Sequence, residues 1–116
     1  MTERSRTIDP RTTPLEAWPL DPEQIIGAAP EVSGLVLDTS ADGRVERGIW
    51  QHAEGVSRDT ESDEIFVVLS GRATIEVEGG PTLDVGPGDI GLLHAGDRTT
   101  WRVHETLRKV FQVTNS

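Results

Sequence analysis

The segment Asp63-Glu64-Ile65-Phe66-Val67-Val68-Leu69-Ser70-Gly71 constrains the fold more than any other: a strand that opens on a carboxylate, runs through an apolar block and stops at a glycine. Gly86-Pro87-Gly88-Asp89 answers it and begins a second apolar run toward Trp101. Carboxylates at the mouth of apolar strands and glycine-cornered turns are devices of a small closed β structure. A chain of 116 residues supports one core. With three Trp, two Phe, no Tyr and one Met, that core must come from Val, Ile and Leu at alternating positions, which favours sheet over helix. The class is therefore all-β.

Charge narrows the partners. The net charge is −9, and residues 21 to 71 hold eleven acids against three arginines. Nucleic acid needs a basic stripe that displaces counterions, and none is present. Cysteine is absent, which removes disulfides and thiolate metal sites. No stretch approaches membrane-spanning length and residues 1 to 10 carry no apolar leader, so the expectation is a cytoplasmic protein without a membrane partner.

In chain order, residues 1 to 20 contain Pro10, Pro14 and Pro19 and show no strand or helix period. They read as an extended N-terminal arm, either frayed or laid across a partner subunit to hide a sheet edge. Residues 21 to 116 form the domain. Asp21-Pro22-Glu23-Gln24 predicts a short helix with Asp21 as N-cap and Gln24 completing a capping box, ended by Gly27 and Pro30. Strands are predicted over 35 to 39, 44 to 51, 64 to 69, 72 to 78, 81 to 85, 89 to 93, 98 to 104 and 106 to 113. Glycine-bearing turns separate several of them. The acidic stretch from Ala53 to Asp63 reads as the longest loop.

Taken together, these residues resemble a cupin. Glu64, six residues, then Gly71 matches the end of the first cupin motif, and Gly86-Pro87-Gly88-Asp89 matches the start of the second. Gly27 to Glu31, Asp42 to Val45, Gly48-Ile49-Trp50, Thr100 to Val103 and Glu105 to Lys109 are similar to the small single-domain cupins related to ureidoglycine aminohydrolase and the ethanolamine-utilisation cupins. The resemblance implies a double-stranded β-helix, the jelly-roll barrel, and commonly a homodimer. It also implies metal-ligand places, but here these carry Ser57 and Asp59, or Arg58 and Thr60, in the first motif and Thr99 in the second. Of the family's ligands only Glu64 is retained. Imidazole holds transition metals, whereas oxygen donors suit magnesium or manganese. The expectation is no tightly bound cofactor, with a weak Mn or Mg site on Glu64 and Asp59 as the alternative.

The family orientation points Glu64 and Phe66 inward, with Thr99 and Trp101 facing them and Trp50 beside His52. The implied pocket has Trp50, Phe66 and Trp101 as walls and Glu64, Asp59, Thr99, Ser57 and His52 as polar groups, a mixture suited to a small ligand. Glu64, His52 and Asp59 are the candidate catalytic groups. Ser57, Trp50, Phe66, Thr99 and Trp101 are the candidate ligand contacts. Core filling by the tryptophans and an arginine partner for Glu64 are the structural readings of the same residues. The resulting function is binding of a small polar or amine-bearing molecule, either by an enzyme of unknown reaction or by a non-catalytic sensing module. His52 is expected near the mouth, and solvation on the acidic loop is the structural reading of Asp59 and Glu61.

Overall fold

The computed structural model describes residues 5–115. Eight strands follow in order: β1 Glu16–Ala17, β2 Val32–Thr39, β3 Val45–His52, β4 Gly55–Thr60, β5 Asp63–Val77, β6 Thr82–Val85, β7 Ile90–Leu93 and β8 Arg98–Thr114. All pairings are antiparallel. The two long strands β5 and β8 pair along most of their lengths, and each bends midway, so one strand pair contributes to two facing layers. In the first layer, β1, β2 and β3 lead to the C-terminal half of β8, then to the N-terminal half of β5 and to β7. In the second, β4 pairs with the N-terminal half of β8, which pairs with the C-terminal half of β5 and so with β6. This is the jelly-roll barrel.

The bends explain why each long strand reads as two in the sequence. β5 turns through a run of register irregularities between Val68 and Ala73. Gly71 sits there at φ +84°, where a Cβ would collide with the Thr106 carbonyl. The irregularity also shifts the inward positions from Phe66 and Val68 to Ala73 and Ile75, which keeps apolar side chains in the core as the strand crosses layers. Along β8, Trp101, Val103, Leu107 and Phe111 are buried and close the core against Phe66.

The acidic segment after His52 is not a loop. Six of its residues form β4, paired with β8 from Gly55 opposite Val103 to Thr60 opposite Arg98. Residues Pro22–Gln24 form a single 3₁₀ turn, in which the Asp21 N–H donates to Gln24 Oε1 at 2.9 Å. The N-terminal arm lies along this chain's own barrel. Arg108 donates to the carbonyls of Pro10 at 2.8 Å and Thr13 at 2.5 Å, and β1 pairs with the outer edge of β2. Trp18 packs over Gly34, where any Cβ would strike its ring, and reaches Phe111 with ring centroids 6.5 Å apart. Among the described residues no helix is long and apolar enough to cross a membrane.

Candidate functional site

Lys109 is the only lysine in the chain, beside ten arginines. β8 places it on the inward face between Leu107 and Phe111, opposite Trp50 of β3 and Val68 of β5, and the residue is 4% exposed. Its Nζ donates to Glu64 Oε2 at 2.6 Å. The same nitrogen lies 4.4 Å from the ring centroid of Trp50, 4.5 Å from that of Phe66 and 4.7 Å from that of Trp101. An ammonium taken out of water costs several kcal/mol unless it is paired. Here one carboxylate and three ring faces replace the water, and a desolvated cation–π contact contributes up to about 2 kcal/mol. The cationic partner that the structural reading of Glu64 supposed, with arginine as its example, is thus a lysine.

A crevice of about 140 Å³ opens above this pair, lined by Trp50, Ser57, Asp59, Glu61, Glu64, Trp101 and Lys109 together with Leu20, Gln24, Arg58, Phe111 and Val113. Glu61 is a functional candidate that the sequence reading placed in solvent. It is 8% exposed, and its Oε2 accepts from Thr99 Oγ1 at 2.6 Å and from the Trp101 indole N–H at 3.1 Å. Among the described residues neither Glu61 Oε1 nor Glu64 Oε1 makes a hydrogen bond. Because no buried polar side-chain atom of the described residues lacks a partner, both oxygens are accessible, and both residues line the crevice. Burial pushes the Glu61 carboxyl above its ordinary range, against the lowering effect of Thr99 and Trp101 and with Asp59 and Glu64 adding to the rise. Asp59 stands at the rim, and desolvation raises its carboxyl too, with Glu64 adding to the effect. Outside the rim a wider groove of about 850 Å³ runs between the 3₁₀ turn and the outer face of β4 and β8. Gln24, Arg58 and Asp59 border both spaces, so the groove adjoins the crevice.

His52 lies behind Ser57 and is 0% exposed, not at the mouth as expected. Its Nδ1 is 2.6 Å from the Ala53 carbonyl and its Nε2 is 2.9 Å from Ser57 Oγ. A carbonyl only accepts, so Nδ1 carries the proton and Nε2 accepts from the Ser57 hydroxyl. Burial is the main cause that lowers the imidazole pKa, with nearby Lys109 adding to it. His94 and His104 are exposed, and His104 Nε2 pairs with Thr74 Oγ1 at 2.8 Å on the surface.

The expected site residues are therefore brought together unevenly. Trp50, Ser57, Asp59, Glu64 and Trp101 line the crevice. Phe66 sits behind the Lys109 ammonium, Thr99 orients Glu61 from the groove side, and His52 reaches the crevice only through Ser57. The metal that this fold often carries does not fit these groups. Both nitrogens of His52 are engaged, Glu64 is held by an ammonium, and that ammonium repels a divalent cation. Among the described residues no three His, Cys, Asp or Glu side chains are gathered for a metal ion. A Mn or Mg ion on Glu64 and Asp59 would have to displace the Lys109 ammonium from Glu64 Oε2. The missed signal was legible in part: one lysine among ten arginines, on the alternation of Leu107 and Phe111, marks a position where arginine's larger fork is not interchangeable.

Residues 39–111 match the family model described as EutQ-like cupin domain. The fold is similar to that of the EutQ protein of Clostridium difficile, at a TM-score of 0.67 and 18% identity over 84% of this chain and 80% of that one. A putative ethanolamine utilization protein of Salmonella typhimurium aligns at a TM-score of 0.61 and 24% identity, over 75% of this chain and 70% of that chain. A DUF861-family protein of unknown function from Pseudomonas syringae pv. tomato aligns at 0.74 and 23% identity. It covers 90% of this chain, which spans 46% of its length. At these identities the structural likeness speaks for the fold. Among curated proteins none matches.

Proposed function

The chain belongs to the EutQ-like cupin family, and from that membership and the site geometry we propose that it binds a small polar molecule carrying an amine, at the mouth of the barrel and without a transition metal. The observation that carries this reading is the pair of unbonded carboxylate oxygens, Glu61 Oε1 and Glu64 Oε1, of two residues that line one small crevice between Trp50 and Trp101. Carboxylate oxygens only accept, so the complementary ligand brings N–H or O–H donors. The indole walls favour a cation or a flat apolar stem. Lys109 is the fixed positive charge of the site, in the place a metal would otherwise serve, and it orients any carbonyl or hydroxyl oxygen of the ligand.

Ethanolamine, the molecule named in the description of the Salmonella relative, has this chemistry and is the first probe. Calorimetric titration with ethanolamine and other small primary amines should give saturable binding. Glu61→Gln or Glu64→Gln should weaken it about ten- to hundredfold through the loss of a charge-assisted hydrogen bond. The reading fails if no small amine binds, or if both variants bind as the wild type does. Recovering the ligand unchanged after incubation identifies a binding module, and its conversion identifies an enzyme.

For assembly the proposal is a homodimer through the outer face of β5 and β7. Ile65 lies opposite Leu92 and Val67 opposite Ile90, and Ile65, Ile90 and Leu92 are 44%, 66% and 59% exposed. A contiguous apolar row of this kind is commonly covered in solution, and a second copy of the chain would do so with matched surfaces.

A further inference from the structure

We propose that Ser57 is a nucleophile, activated by His52, that accepts the acyl group of small esters entering the crevice. The inference rests on the crevice being a small-molecule site, as proposed above. A nucleophile needs a base within hydrogen-bond reach and a third group that orients the base. Ser57 Oγ lies 2.9 Å from His52 Nε2, and the Ala53 carbonyl, 2.6 Å from Nδ1, fixes the tautomer that leaves Nε2 free to take the serine proton. Burial of the ring lowers its pKa and so favours the neutral form in which that lone pair is available. The imidazole is sealed from water while Ser57 faces the crevice. A pair that only satisfied buried polar groups would need no such opening.

Ser57 Oγ bonds to the ester carbonyl carbon, its proton passes to His52 Nε2, and the oxyanion develops in a crevice that already holds the Lys109 ammonium. The bond to the leaving alcohol breaks, and that alcohol takes the proton from Nε2. Water then adds to the acyl-serine, gives its proton to His52, and releases the carboxylic acid as Ser57 recovers its hydrogen. The net change is ester plus water to acid plus alcohol.

The test treats the full chain with p-nitrophenyl acetate and maps acetylation by peptide mass spectrometry. One acetyl group is expected on Ser57, and release of p-nitrophenol should exceed that of Ser57→Ala and His52→Gln by at least about tenfold. The chain has no cysteine, so Ser57→Cys introduces a single thiol. Iodoacetamide should alkylate it about tenfold faster when His52 is present than in the S57C/H52Q double variant. Absence of acetyl on Ser57, or a thiol whose reactivity ignores His52, overturns the proposal. Should H52Q fail to fold, wild type against S57A still decides. Ethanolamine binding without Ser57 acylation overturns only this step; acylation without ethanolamine binding overturns only the amine-binding reading.

Discussion

Lys109 is the residue on which the site turns, because a buried ammonium and a buried carboxylate each need the other. Lys109→Met leaves Glu64, whose side chain is 7% exposed, without its counter-charge and should cost about 3–5 kcal/mol in urea unfolding. The K109M/E64Q double variant should regain most of that loss, and equal losses in single and double variants would contradict the pairing. Glu61 adds a pH dependence. Its folded-state carboxyl holds its proton above the unfolded value of 4.5, so the contribution favours folding below 4.5 and is lost as pH rises through the raised value. Glu61→Gln should therefore raise the thermal midpoint above the wild type at mildly alkaline pH, and the gap should close toward 4.5. A gap that ignores pH would contradict the assignment. Glu64 was legible as an inward carboxylate through the cupin resemblance, which its spacing to Gly71 carries. Glu61 was not, because nothing local separates a buried glutamate from its solvated neighbours in an acidic stretch; Thr99 and Trp101, distant in sequence, make the difference.

At the scale of elements, the strands with an apolar inward face were readable and the polar one was not. β4 turns Ser57 and Asp59 toward the crevice, so the strand that builds the site lacks the period-2 apolar signal by which strands are recognised. β8 read as two strands because its bend near Glu105 interrupts the alternation without ending the pairing. The arm's docking was hinted at only by Trp18. Trp18→Ala removes the ring packed between Gly34 and Phe111 and should cost about 2–3 kcal/mol, near the low end for large aromatic deletions because the residue is only partly buried. Denaturant unfolding measures it, and a change within about 0.5 kcal/mol, the range of an ordinary surface substitution, would mean that the arm adds nothing to the barrel. Gly71→Ala combines positive φ with a clash at Thr106 and should be more damaging still.

On the scale of the whole molecule, an acidic barrel closes around one internal cation and leaves one outer apolar row. The jelly-roll and the family were legible from ordered glycine motifs, since turn geometry is a local property. The places of Lys109 and Glu61 inside it were not, since they depend on side chains that meet only after closure. The outer row predicts a dimer in light scattering that Ile90→Lys with Leu92→Lys converts to monomer; a wild-type monomer at all concentrations would remove that interface. The central claim is that Lys109 supplies the charge that a metal would supply. Native mass spectrometry of the protein titrated with zinc, manganese and iron(II) tests it most directly. The expected result is no stoichiometric uptake by the wild type. One equivalent bound tightly per chain, and lost on Glu64→Gln, would contradict it.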